Sequence, residues 1–167
     1  MPNFKKSESL TTQIHQIYIK APAEAIWDAI TQPEWTTKYG YRCPVDYDLK
    51  PGGKYIVRST DTMLAMGLPV IVLDGEVTEA TRPNKLVHTL RFMFTDENVA
   101  EGFTRISWEI VPTGEGFCRL TVTHEMENAP IMAANTSSDY DGHGGGGWNW
   151  VISDLKSLLE TGKALAD

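Results

Sequence analysis

Cysteine is scarce, with only Cys43 and Cys118 among 167 residues. The two are far apart and belong to no C-x-x-C pair, so nothing supports a zinc site or a redox couple, and a reducing cytoplasm fits best. Basic residues are outnumbered, 15 Lys plus Arg against 22 Asp plus Glu, for a formal charge of −7. A balance of that sign opposes a phosphate backbone, so nucleic acid is not an expected partner. Long apolar runs are missing as well. No window approaches the ~20 apolar residues of a membrane-spanning helix, and the start of the chain, Met1 to Ser9, lacks the apolar core of a secretory signal. The expectation is a soluble cytoplasmic protein with a flexible polar leader over 1–12 and a single domain over 13–164. That length suffices to bury roughly 70% of the surface of the unfolded chain.

Glycine, by contrast, is concentrated. Gly142-His143-Gly144-Gly145-Gly146-Gly147 runs directly into a segment in which Trp148, Val151, Ile152, Leu155, Leu158 and Leu159 recur at i, i+3, i+4, i+7, i+10 and i+11. That spacing is the stripe of an amphipathic helix lying on an apolar surface, and Gly162 supplies its stop. The run has no G-K-[ST], no βαβ setting for a G-x-G-x-x-G motif and no strand leading straight into it, so it reads as a hinge or a close backbone approach rather than a phosphate cradle. Asp139-Tyr140-Asp141-Gly142-His143 begins like a calcium loop, but the twelfth position falls on Trp150 where a glutamate is required. Trp148 and Trp150 do not share one stripe, so one of the two is expected at a loop or a cavity mouth.

Before this helix the chain reads mostly as strands. Ile14 to Lys20 is a first strand, stopped by Ala21-Pro22; Ala23 to Thr31 is a short helix, and Trp35 to Tyr39 makes another turn or two. Val45 to Leu49 and Lys54 to Ser59 flank the turn Pro51-Gly52-Gly53, a hairpin signal. Strands over 69–80, 85–94, 104–111 and 117–125 follow with short separators, which predicts antiparallel pairing with sequence neighbours. Two longer connections, Thr60 to Leu68 and Ala129 to Asp141, are candidate lids.

Alternation assigns the strand faces. Tyr55 and Val57; Leu86, His88, Leu90, Phe92 and Phe94; Ile106, Trp108 and Ile110; and Cys118, Leu120, Val122 and His124 form the apolar rows. Strand 69–80 is ambiguous, and the set with Ile71, Leu73 and Val77 is favoured, with Gly75 inward, where its missing side chain leaves room. His88 and His124 are the only polar groups of their rows. In an apolar pocket they serve as orienting donors or as acid and base; alternatively each is a buried imidazole bonded to a neighbour. Neither lies in a metal-spaced cluster, so no metal and no cofactor is expected.

The order of motifs is distinctive. Ile19-Lys20-Ala21-Pro22 leads to Trp27, then come Pro33-Glu34-Trp35, Leu49-Lys50-Pro51-Gly52-Gly53, Asp74-Gly75-Glu76-Val77, and finally Gly147-Trp148 with Leu155, Leu158, Leu159 and Glu160. In this the chain resembles the START-like, Bet v 1-like (SRPBCC) superfamily, and within it the branch of activator of Hsp90 ATPase homologue 1-like proteins, from about Ile14 to Gly162. The resemblance implies an α+β helix-grip fold: a curved seven-stranded antiparallel sheet wrapped around a long C-terminal helix, with two short helices after the first strand and a cavity between. It implies a branch that binds or processes varied hydrophobic small molecules and has no universal catalytic set. It also implies that the Hsp90-binding members carry a further N-terminal domain.

The expected function is therefore binding of a small, largely hydrophobic molecule between sheet and helix, with Tyr55, Leu73, His88, Leu90, Trp108, Leu120, His124, Trp148 and Ile152 as the ligand-binding residues. The alternatives are an enzyme of the cyclase, dehydratase or hydrolase kind using His88 or His124, and a co-chaperone-like interaction module. A homodimer is left open.

Overall fold

The computed structural model describes residues 12–142 and 144–167. The polar leader therefore lies, up to residue 11, outside the described residues, as does His143 of the glycine run. The described chain runs β1 (Thr12–Ile19), α1 (Ala23–Thr31), α2 (Pro33–Thr36), β2 (Val45–Tyr47), β3 (Lys54–Arg58), α3 (Asp61–Ala65), β4 (Ile71–Thr81), β5 (Lys85–Phe92), α4 (Asp96–Glu101), β6 (Thr104–Pro112), β7 (Cys118–Glu125), α5 (Pro130–Thr136) and α6 (Gly147–Thr161). All seven strands join one antiparallel sheet in the order β1-β7-β6-β5-β4-β3-β2. Every pair but β1–β7 connects sequence neighbours, β3 and β4 doing so across the longer connection Thr60 to Leu68.

Local chemistry sets the element boundaries. Pro22 at φ −70° caps α1, and Pro33 opens α2 at a position where its missing N–H costs nothing. In the β2–β3 hairpin, Gly53 N donates to Lys50 O at 2.8 Å and Gly52 takes φ 83°. Gly162, at φ 81°, ends α6 by donating to Leu158 O at 2.9 Å. The two connections expected as loops contain short helices instead. Thr60 caps α3 by accepting from Met63 N at 3.2 Å. The Glu101 carboxylate caps α5 from outside, accepting from Ile131 N at 2.7 Å and Met132 N at 3.0 Å.

The core lies between the sheet and α6. Ile152, Leu155 and Leu158 of the helix are buried in one cluster with Tyr55, Ile106, Trp108, Ile110, Leu120 and Val122. Asp154 stands in that buried stripe. It is 1% exposed and accepts from Gly40 N at 2.7 Å and Leu165 N at 2.6 Å, which fastens the loop after α2 and the C-terminal tail to α6. Lys156 donates to Tyr18 O at 2.8 Å, and Lys20 N donates to Glu160 at 2.8 Å, so the helix also covers part of the free edge of β1.

The face assignment of β4 needs correction. A register shift at Val57/Arg58 pairs Val57 with Leu73 and Arg58 with Ile71, which leaves Val72 as the extra residue of a bulge. Val72 is buried, Leu73 half-buried against the core, and Ile71 half-buried outside it. Simple alternation cannot see a bulge. Gly75 does not leave room either: a Cβ there would collide with the Thr89 carbonyl oxygen, so glycine is what lets β4 approach β5.

Candidate functional site

The register brings the two histidines into one row, because His88 faces Ile106 across β5–β6 and Ile106 faces His124 across β6–β7. Both imidazoles are completely buried, and their hydrogen bonds fix their tautomers. His88 Nδ1 lies 3.0 Å from Thr89 O, a pure acceptor, so the proton sits on Nδ1. His88 Nε2 therefore accepts, and it receives Trp108 Nε1–H at 3.3 Å and the Tyr47 hydroxyl at 3.1 Å. His124 is protonated on the other nitrogen. Its Nδ1 accepts from Trp148 Nε1–H at 3.0 Å, its Nε2–H donates to Thr104 Oγ1 at 2.7 Å, and that hydroxyl donates to Leu90 O at 3.0 Å.

Burial holds both rings neutral. Removal from water pushes His88 down to about 3, against a partial offset from its bond to Thr89, and pushes His124 down to about 4, aided by His15. Desolvation likewise raises the phenols of Tyr47 and Tyr55 above the usual tyrosine range. No charge is therefore held on this face near neutral pH. Among the described residues, no group of three His, Cys, Asp or Glu side chains is placed to hold a metal ion.

The rings form a continuous band. Tyr47 and Tyr55 lie 4.9 Å apart, Tyr55 and His88 4.1 Å, Trp108 and Trp148 5.3 Å, and His124 and Trp148 5.9 Å, with the His88–Trp108 bond as the link between the halves. Of the nine residues expected from sequence, Tyr55, His88, Leu90, Trp108, Leu120, His124 and Ile152 are buried on the inner face, while Leu73 and Trp148 are half-buried at its margin. Half-buried Met63 and Phe92 pack against the same core. Two clefts, of about 500 Å³ and about 540 Å³, open elsewhere, one beside Gln13 and Trp150 and the other beside Trp35 and Leu159; neither is lined by any of the nine.

Sequence reasoning missed Tyr47 and Thr104, whose hydroxyls complete the two imidazole networks. The signal was present. Thr104 continues the alternation of Ile106, Trp108 and Ile110, and Tyr47 shares the parity of Val45 and Leu49. Asp154 was missed as well, because it is not one of the apolar residues whose spacing marks the stripe, and its burial rests on bonds to Gly40 and Leu165, which lie outside the helix. The glycine run behaves as a close approach: Gly147 takes φ 52°, and a Cβ there would collide with the Thr136 carbonyl oxygen.

Comparison with known proteins places this arrangement. Among curated proteins none matches the chain in sequence. Among solved structures, an HSP90 activator from Plasmodium falciparum is 24% identical with a TM-score of 0.55, over 94% of this chain and 92% of that one. The Aha1 dimer from Colwellia psychrerythraea is 20% identical with a TM-score of 0.60, over 93% and 100%. CalU16 from Micromonospora echinospora is 14% identical with a TM-score of 0.61, over 90% and 77%. At these identities the likeness is one of fold. The family model for activator of Hsp90 ATPase homolog 1-like proteins matches residues 20–160, and with the sheet, the gripped helix and the motif order it shows that the chain belongs to that family.

Proposed function

We propose that this protein binds a small, largely hydrophobic molecule against the inner face of the sheet, between it and α6. The observation that carries this reading is the band of six rings from Tyr47 to His124. Its indole and imidazole polar atoms are spent on one another, on the Tyr47 hydroxyl and on Thr89 and Thr104, so what remains for a ligand is largely apolar and aromatic area, with the Tyr55 hydroxyl. Leu73, Phe92, Met63 and Trp148, half-buried against this core, are the apolar side chains proposed to admit the ligand. Binding is driven by apolar area, at roughly 25 cal/mol per Å² removed from water. The paired histidines argue against acid–base catalysis: each has both nitrogens engaged, and values of about 3 and about 4 make them weak bases.

The test is a titration with N-phenyl-1-naphthylamine, a neutral dye whose emission rises out of water, on the wild type, His88→Leu and His124→Leu. The expected result is saturable binding that both variants keep to an appreciable degree, with altered selectivity. Each substitution orphans an indole N–H and costs about 1–3 kcal/mol of stability, so folding is checked in parallel. Complete loss of dye binding in a folded variant would show that the imidazole carries recognition and would move the enzyme reading ahead. The family and the Plasmodium structure also favour a second reading, a co-chaperone-like module. Calorimetry with purified Hsp90 separates the two: binding there, without any binding of the dye, supports the module.

A further inference from the structure

Trp150 takes no part in the inner band. It projects from α6 into the cleft of about 500 Å³ bounded by β1, the end of α5 and the first turns of α6, whose lining includes Gln13, His15, Asp139, Tyr140 and Asn149. Its indole stacks on Tyr140, with centroids 4.0 Å apart and planes within 11°. Gly146 makes that stack possible, since a Cβ there would stand 2.5 Å from Trp150 Cβ and 3.0 Å from Tyr140 Cβ. The opposite wall is equally fixed. Gln13 is 8% exposed and donates to Thr136 Oγ1 at 3.1 Å and Ser137 Oγ at 2.9 Å, and its Oε1 lies 3.3 Å from His15 Nε2.

The electrostatics of this cleft are one-sided. Among the described residues no lysine or arginine lines it, and Asp139 is the one carboxylate of the lining, without a side-chain hydrogen bond or ion pair among those residues. The chain as a whole carries −7. An anion finds no counter-charge there. A purely apolar molecule would strip water from the amides and hydroxyls of the lining without replacing it. A small organic cation satisfies both walls, with its charge against aromatic faces and the carboxylate and its polar end on the amide side.

We infer that the cleft between β1, α5 and α6 is a second binding site, for a small organic cation of the quaternary ammonium kind. It is separate from the inner face and does not rest on the function proposed for it. The test follows the indole N–H signal of Trp150 in ¹H–¹⁵N spectra, identified by its absence in Trp150→Phe, during titration with choline and with its neutral isostere 3,3-dimethylbutan-1-ol. Choline is expected to shift the signal saturably and to bind about ten-fold more tightly than the alcohol, the difference that a cation–π contact and a neighbouring counter-charge together supply. Asp139→Asn is expected to weaken choline about three-fold while leaving the alcohol unchanged, and the exposed position of Asp139 keeps that variant folded. Equal affinity for the two probes, no shift with choline, or an unchanged choline affinity in Asp139→Asn would each overturn the proposal.

Discussion

Gly147→Val is expected to unfold much of the population or to leave a protein barely stable at room temperature. Two costs coincide at this position. A β-branched residue at φ 52° sits in the left-handed region, and its Cβ would run into the carbonyl oxygen of Thr136, a backbone atom in the last turn of α5. Left-handed strain costs roughly 1–2 kcal/mol and overpacking about 1–3, so the loss is on the order of 2–5 kcal/mol. Set against a typical total of about 5–15 kcal/mol, that is a large fraction. Gly144→Ala is the control, because nothing lies within 4 Å of a Cβ there. Urea denaturation of both variants checks the account, and a Gly147→Val midpoint equal to wild type would contradict it.

That contrast within one glycine run shows what sequence can and cannot reveal. The run, the stripe after it and Gly162 announced α6 and its ends, and alternation placed Trp108, Leu120 and His124 correctly inward, since both periods are properties of the local chain. The order of motifs likewise made the family legible. What stayed hidden depended on the register between distant segments. The β4 bulge moved Val72 inward, Gly75 proved to be a close approach, and the pairing of each histidine with a tryptophan from another element required the fold itself. The short helices α3, α4 and α5 were missed because each is stabilised by a cap or by contacts with another element rather than by a periodic stripe of its own.

Acid is expected to destabilise the protein well above the pH at which its carboxylates titrate. His88 and His124 fall from 6.5 to about 3 and to about 4 in the folded state, so between those values and 6.5 the unfolded chain binds more protons. The contribution of each is present above pH ~6.5 and is lost as pH falls toward the folded value. At about 1.4 kcal/mol per pH unit for each imidazole, lowering pH from 7.5 to 4.5 removes roughly 5 kcal/mol from the pair. Urea midpoints measured across that range check this. His124→Leu, which deletes one of the two titrations, is expected to show about half the slope, and a wild-type stability flat from pH 7.5 to 4.5 would show that the rings are not held neutral.

The proposed binding mode puts the hydrophobic ligand on the inner face and not in an outer cleft. The five tryptophans give it a direct readout. Trp108 and Trp148 donate to the buried imidazoles, Trp35 lines the cleft beside Leu159, Trp150 lines the cleft beside Gln13, and Trp27 is buried in the core. The decisive measurement is the set of indole N–H signals in ¹H–¹⁵N spectra as the protein is saturated with N-phenyl-1-naphthylamine, whose rings shift the resonances of nearby protons. Stoichiometric shifts are expected at Trp108 and Trp148, with Trp35 and Trp150 unmoved. Shifts confined to Trp35 or Trp150, with Trp108 and Trp148 unchanged at saturation, would place the ligand outside and contradict the account.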